Sequence, residues 1–190
     1  MNSNKTLILT FLMLVIVAAL YRVIPDRPLG FAPQWSMALF AGAVIKNRKW
    51  AIAFPILSML ISDLIYQYMY AQGLSDIPGF YEGQATNYVL FTAMTVIGFY
   101  MKRVSVANVI LFSLIVCGSF FLLSNFFVWA SGAGYARPKT FEGLMQCYGD
   151  GLPFLRYNII STLLFSGLLF GGYKLIAGTL KPAHQSNDGN

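Results

Sequence analysis

Long apolar stretches separated by short polar turns run along almost the whole chain. A helix rises ~1.5 Å per residue, so ~20 apolar residues cross the hydrocarbon core of a membrane. Six stretches have helical length: Thr6–Tyr21, Phe31–Ile45, Trp50–Tyr70, Thr86–Met101, Val106–Trp129 and Pro153–Ile176. The second and fourth are only about 15 residues long, so we expect them to be half-buried in the bundle or to thin the bilayer locally. The pattern predicts an all-α, polytopic membrane protein, a six-transmembrane-helix bundle over residues 1–178 with a polar, disordered tail at 179–190.

Composition agrees with a membrane protein, since 57% of the residues are hydrophobic and 11% are charged, against roughly 25% charged in soluble domains. The net charge of +6 lies in the turns, where basic residues set topology, so it does not predict nucleic-acid binding. The only histidine, His184, lies in the tail, and the two cysteines form no CxxC pair. We therefore predict no His-based metal centre, no Ser-His-Asp triad and no cofactor.

Lysine and arginine are distributed unevenly between the two sides of the predicted bundle. With the amino terminus in the cytoplasm, eight of them lie inside and five outside. The turns KNRK at 46–49 and MKR at 101–103 alternate with a loop at 71–85 that has no basic residue. The positive-inside rule then predicts that both termini are cytoplasmic. An alternative for span 1 is a cleavable signal peptide ending near Val17-Ala18-Ala19.

Asp63 is the only charged residue in the third apolar span, Trp50–Tyr70. Ionisable side chains inside a membrane usually face the bundle interior or a watery cavity, because hydrocarbon does not solvate them. Asp63 lies about 14 residues along an outward-running span, which is roughly 20 Å from its cytoplasmic end. Gln67 lies one turn further on the same helical face. We therefore expect Asp63 to face a pocket in the outer half of the membrane.

Other spans also place polar or amphipathic side chains toward this outer side. Asn125 and Trp129 share a face near the end of span 5, Arg156 and Asn158 lie in the first turns of span 6, and Trp35 begins span 2. Together they predict an outward-opening pocket with a carboxylate, a guanidinium, amides and aromatic faces, which suits a small, partly polar ligand. The candidate substrate-binding residues are Asp63, Gln67, Asn125, Trp129, Arg156, Asn158 and Trp35.

Each candidate residue also has a purely structural interpretation. Asp63 could form a buried ion pair with Arg156, or Arg156 could extend to the interface. Asn125 could bridge two helices, and Trp35 and Trp129 could belong to the interfacial aromatic belt. These interpretations keep open a structural or assembly subunit without a ligand of its own.

An integral membrane enzyme is a weaker hypothesis. Asp63, Asp150 and Glu142 could serve as acids or bases. No nucleophile–base pair or metal-ligand set is visible in the sequence, so we do not predict an enzyme.

Small residues recur at helical spacing in two spans. Ala38 and Gly42 in span 2 are four residues apart, and Gly167 and Gly171 in span 6 form a GxxxG motif. Such pairs permit close contact between helices. We expect them to pack within the bundle, with a docking face for another membrane subunit as the alternative.

Several short stretches carry a family resemblance. They are Phe31-Ala32-Pro33, Ala38-Leu39-Phe40-Ala41-Gly42-Ala43, Ser62-Asp63, Ser124-Asn125-Phe126-Phe127-Val128-Trp129, Gly143-Leu144, Cys147-Tyr148 and Pro153-Phe154. Over roughly residues 5–178 the chain resembles the S components of energy-coupling factor (ECF) transporters, and more closely an uncharacterised bacterial membrane family grouped with them. On this basis Tyr148 joins the candidate substrate-binding residues.

The resemblance implies an S-component-type bundle in a bacterial cytoplasmic (inner) membrane that captures a small substrate at its outer face. It also implies partners, namely a transmembrane T component and a pair of ATPases, because the chain lacks the GxxxxGK(S/T) phosphate-binding loop. One motif departs from the S-component pattern. These proteins often carry AxxxA in the first helix for coupling to the T component, whereas span 1 has adjacent Ala18 and Ala19.

Overall fold

The computed structural model describes residues 14–24 and 30–179, with side chains up to Leu175. The predicted tail and the beginning of span 1 lie largely outside this range. Six helices are described: α1 (Leu14–Val23), α2 (Gln34–Val44), α3 (Arg48–Ala71), α4 (Gln84–Gly98), α5 (Val106–Ser131) and α6 (Phe141–Thr179). The described ranges contain no β-strand, so the predicted all-α class is confirmed for them.

Local sequence signals explain where the helices begin and end. The side chain of Asn47 accepts a hydrogen bond from the backbone N–H of Lys49 at 3.0 Å and caps α3. The hydroxyl of Ser105 accepts a hydrogen bond from the backbone N–H of Asn108 and caps α5. Such side chains satisfy backbone donors that the first helical turn leaves without partners. Gly132, with φ of 81°, ends α5 in the left-handed conformation that glycine adopts without strain.

Helix α2 lies at the centre of the bundle and packs against α3, α4, α5 and α6. Every one of its residues from Gln34 to Gly42 is buried. Its closest neighbour is α4. A Cβ on Gly42 of α2 would lie 2.2 Å from the carbonyl oxygen of Thr95 in α4. A Cβ on Gly98 of α4 would lie 2.6 Å from the carbonyl oxygen of Leu39 in α2. The expected close packing of the Ala38/Gly42 face is confirmed.

The GxxxG motif of α6 behaves differently. Apart from the backbone of α6 itself, no atom of the described residues lies within 4 Å of a Cβ built on Gly167 or Gly171. Both glycines line an open apolar groove of about 450 Å³ between the second half of α6 and the start of α5. The expectation that this motif packs within the bundle is therefore wrong for the described chain, because no small-residue face lies opposite it.

Helix α1 is an integral part of the bundle. Val15 and Ala18 form a buried apolar cluster with Met37 of α2. The hydroxyl of Ser58 in α3 donates to the backbone oxygen of Val15 at 3.1 Å. The segment considered above as a signal cleavage site, Val17-Ala18-Ala19, lies inside this helix.

Three helices, α3, α5 and α6, are long and apolar enough to cross a membrane. They expose large apolar side chains such as Leu64, Leu114 and Leu168 on their outer faces, which water does not favour and lipid does. These features support the predicted membrane protein. Helices α2 and α4, with 11 and 15 residues, are as short as the sequence indicated.

Helix α6 begins at Phe141, earlier than the predicted start at Pro153, and Pro153 lies inside it. The glycine-rich stretch before Pro153 indicated a loop. Gly143 packs against the backbone of Pro138, and Gly151 packs against the side chain of Asn125. Glycine makes these close contacts possible at two positions inside the helix, in spite of its low helix propensity.

Candidate functional site

Asp63 is completely buried, and both of its carboxylate oxygens accept hydrogen bonds. A guanidinium nitrogen of Arg22 in α1 donates to Oδ1. The side-chain amide of Gln84 and the hydroxyl of Tyr88, both in α4, donate to Oδ2, the latter at 2.7 Å. A buried carboxylate with a cation and two further donors is compensated for its loss of hydration. The carboxylate of Asp63 therefore joins three helices.

Arg22 is fixed by several groups besides Asp63. Its guanidinium donates to the hydroxyl of Ser62 at 2.6 Å, and its backbone oxygen accepts from the hydroxyl of Tyr66 at 2.8 Å. The side chain of Arg22 is 18% exposed, whereas that of Asp63 is 1% exposed. The pair therefore presents its cationic partner, and not its carboxylate, to the space between the helices.

The hypothetical ion pair between Asp63 and Arg156 is wrong. Arg156 is exposed on α6, where its guanidinium donates to the hydroxyl of Tyr157 at 3.0 Å and lies 4.8 Å from the centre of that ring. The sequence pattern ended span 1 at Tyr21 and placed Arg22 in the following loop. The helix continues to Val23, so Arg22 lies in its last turn and can reach α3.

A cavity of about 320 Å³ opens beside this ion pair, between α2, α4, α5 and α6. It has both polar and aromatic walls. The polar lining residues are Arg22, Gln34, Asn87, Ser124, Asn125 and Asn158, and the aromatic ones are Trp35, Phe91, Phe120, Phe121 and Phe154. Ligand sites of this size are mostly apolar with a few polar groups that orient the ligand, which is the composition found here.

Asn125 of α5 packs directly against Gly151 of α6. Its side-chain nitrogen donates to the backbone oxygen of Phe121 at 2.8 Å. Its side-chain oxygen would lie 2.5 Å from a Cβ on Gly151. The absence of a side chain at Gly151 therefore leaves the room that the Asn125 amide occupies in the cavity wall.

Trp35 and Asn158 complete the set of predicted residues that line the cavity. The ring of Trp35 packs against Phe91 and Phe120, with ring centres 4.3 and 3.8 Å apart. Trp35 is thus part of the core and the cavity wall, and not of an interfacial belt. The buried Asn158 accepts a hydrogen bond from Thr162 at 3.2 Å.

Three other predicted residues do not line the cavity: two of them hold loops in place, and Tyr148 joins α6 to α5. Gln67 accepts from the backbone N–H of Phe80 at 3.3 Å, so it anchors the loop between α3 and α4. The indole of Trp129 donates to the backbone oxygen of Pro138 at 2.8 Å, in the loop between α5 and α6. The hydroxyl of Tyr148 donates to the backbone oxygen of Leu122 at 3.2 Å. The cavity therefore brings together Trp35, Asn125 and Asn158 from the predicted set.

The sequence interpretation missed Gln34, Asn87 and Arg22 as lining residues. Gln34 is 3% exposed, and its amide nitrogen donates to the backbone oxygen of Ala18 at 3.0 Å. Its amide oxygen is buried without a hydrogen-bond partner among the described residues. The available signal for both Gln34 and Asn87 was a polar residue near the start of a short, mostly apolar span.

Two further features limit the chemistry of the site. Cys117 and Cys147 are buried free thiols. Within residues 14–24 and 30–175, no group of three His, Cys, Asp or Glu side chains is placed to hold a metal ion.

The chain belongs to a family of unknown function, DUF6580, whose model matches residues 2–184. No match was found among curated proteins or among solved structures.

Proposed function

We propose that this protein captures a small molecule at the outer face of a bacterial cytoplasmic membrane, in the manner of an ECF transporter S component. The observation that carries the proposal is the buried amide oxygen of Gln34, which has no hydrogen-bond partner among the described residues. The residue itself lines the 320 Å³ cavity. Buried polar atoms are nearly always hydrogen-bonded, and each exception calls for an explanation. A ligand donor in the cavity supplies one.

The distribution of charge supports an outer position for the cavity. Helix α2 begins at the cavity with Gln34 and ends beside the basic turn at 46–49. Helix α5 begins beside Lys102 and Arg103 and reaches the cavity only at its far end, near Asn125. Because the positive-inside rule assigns both basic turns to the cytoplasm, the cavity faces the other side. Six membrane crossings and cytoplasmic termini belong to the same proposal.

This orientation can be tested by labelling from outside the cell. Single cysteines are introduced at Glu82, in the loop near the cavity, and at Lys102, in a basic turn. Both positions are exposed, and both native thiols are buried. A membrane-impermeant maleimide should label the cysteine at position 82 in intact cells, and the one at 102 only after lysis. The reverse pattern would overturn the orientation.

Release of the ligand into the cytoplasm requires a source of energy. The chain has no GxxxxGK(S/T) loop, so we propose that a T component and an ATPase pair serve as partners. The family resemblance supports these partners, although the first helix lacks the AxxxA pattern.

Ligand capture is tested by purification in mild detergent, followed by mass spectrometry of the small molecules released on denaturation. The wild type and Tyr148→Phe should retain a compound that Asn125→Ala has lost. Tyr148 is the matched control because it shares the α5–α6 region without lining the cavity. If no compound accompanies the wild type, or if both variants retain it equally, the proposed site is wrong.

A structural or assembly subunit is the second candidate function, and the open groove at Gly167 and Gly171 favours it. In that case Gly167→Leu should abolish co-purification of a membrane partner and leave the cavity unchanged. A partner that remains bound to this variant would exclude the groove as its docking face.

A further inference from the structure

We infer that the cavity takes an uncharged, planar ring compound that carries cyclic-amide N–H groups, the chemistry of pyrimidinediones and purinediones. This inference rests on the proposed capture function, and it adds the chemical class of the substrate. It follows from the charge, the free polar atoms and the walls of the cavity, taken in turn.

The charge of the cavity wall is already balanced. Arg22 is the one charged side chain among the described lining residues, and Asp63 forms its ion pair. An anionic ligand would bring a second negative charge next to Asp63, and the described lining holds no second cation to balance it. A cationic ligand would find no carboxylate in the described lining. An uncharged ligand fits without breaking the pair.

Three side-chain amide oxygens among the described lining residues are hydrogen-bond acceptors without a described donor. The amide oxygen of Gln34 has no described partner. The amide nitrogen of Asn125 donates to the backbone oxygen of Phe121. That of Asn87 donates to the hydroxyl of Tyr81 and to the side-chain oxygen of Gln84. The amide oxygens of both asparagines are therefore available to a ligand. Acceptors of this kind require N–H or O–H donors on the ligand.

Asn158 has the opposite arrangement. Its amide oxygen accepts from Thr162 at 3.2 Å, so its nitrogen is the group available to a ligand acceptor. A cyclic amide, which carries an N–H next to a C=O, offers both functions in one rigid plane. Such a ring matches a wall that offers both amide oxygens and amide N–H groups.

The remaining walls are flat and apolar. Phe120, Phe121 and Phe154 line the cavity together with Trp35. Aromatic side chains favour stacked or edge-on contact with other flat rings. A volume of about 320 Å³ lies at the lower end of the ~300–1,000 Å³ range of small-molecule sites, so one or two fused rings are expected.

The test measures binding to protein in lipid nanodiscs by thermal shift and equilibrium dialysis, with probes matched in ring shape. Uracil and xanthine carry the N–H groups, and their fully N-methylated derivatives, N,N′-dimethyluracil and caffeine, have none. Orotate adds a carboxylate to the uracil ring. We expect uracil or xanthine to bind at least about tenfold more tightly than the methylated compounds, because buried acceptors without a donor are costly. We expect the same margin over orotate, because Asp63 already balances the charge of Arg22. Equal or tighter binding of the methylated compounds or of orotate overturns the inference.

Variants connect this preference to the wall. Gln34→Met keeps the length of the side chain and removes its amide oxygen, so it should reduce the preference for uracil or xanthine over their methylated forms. Gln146→Met is the matched control, because Gln146 is exposed on α6. An undiminished preference in Gln34→Met contradicts the assignment.

The compound that accompanies the purified protein separates the two proposals. An uncharged ring with N–H groups supports both of them. A carboxylate or phosphate compound overturns the inference about chemical class and leaves the capture function standing. If no compound is retained, the capture function fails, and the inference fails with it.

Discussion

Two arginine–aspartate pairs in this protein share the same chemistry and differ in their surroundings. Arg22 and Asp63 join α1 to α3 in the interior, where the aspartate side chain is 1% exposed. Arg137 and Asp150 form two parallel hydrogen bonds of 2.9 Å, with side chains 36% and 27% exposed. The outer pair has the more regular geometry, yet burial makes the inner pair the more important one, because water cannot replace a partner that is lost there.

The difference extends to what each pair organises. Asp63 gathers donors from α1 and α4 around one carboxylate and thereby orients Arg22 at the cavity. Asp150 holds the loop before α6, and its hydrogen bonds raise the pKa of Arg137 above the ordinary value. The inner pair is thus part of the proposed binding site, whereas the outer pair shapes a loop.

Removal of the inner carboxylate should have the largest effect. We expect Asp63→Ala to lower the free energy of unfolding by about 3–5 kcal/mol, since Arg22 is left partly buried without its counter-charge. Asp150→Ala should lower it much less. The measurement is reversible unfolding in mixed detergent micelles, or the melting temperature where unfolding is irreversible. Similar losses in the two variants would contradict the contrast between the pairs.

Replacement of both inner partners should restore much of that stability. In the double variant Arg22→Met with Asp63→Leu, no buried charge remains without compensation. We expect a coupling energy of about 0.5–3 kcal/mol between the two sites, as is usual for groups in one network. A double-mutant cycle measures it. Strictly additive losses would show that the two side chains do not act as a pair.

Two glycines on either side of Asp150 provide a finer test. A Cβ on Gly151 would push the Asn125 amide out of its place in the cavity wall, whereas nothing lies within 4 Å of one on Gly149. The end of the Asn125 side chain can rotate, so we expect Gly151→Ala to fold, and to bind uracil or xanthine about tenfold more weakly, near 1.4 kcal/mol. Gly149→Ala should bind like the wild type. Equal affinities would place Asn125 outside the site.

The sequence predicted the burial of Asp63 correctly because a charge within an apolar helix has few stable environments. It did not identify the partner, since Arg22 and Arg156 both lie near helix ends, and only the packing of α1 on α3 decides between them. The hydropathy pattern ends span 1 two residues before the helix does, and this difference is enough to assign Arg22 to a loop.

The two small-residue motifs show the same limit. Gly42 packs closely because Gly98 of α4 lies opposite, whereas Gly167 and Gly171 have no such partner. Spacing within one helix reveals which face can approach another helix, and the second helix determines whether it does. For the same reason, Asn125 was predictable as a polar group near the cavity, and its dependence on Gly151 was not.

A higher salt concentration should have the smallest effect on stability, and it should weaken only the Arg137–Asp150 pair. Raising the ionic strength from 0.1 to 1 M shortens the screening length from about 10 to about 3 Å, which weakens exposed ion pairs far more than buried ones. We therefore expect the melting-temperature difference between wild type and Asp150→Ala to shrink toward zero in 1 M NaCl. The difference for Asp63→Ala should remain. Loss of both differences in salt would mean that water and ions reach Asp63, and that the inner pair is more open than its 1% exposure indicates.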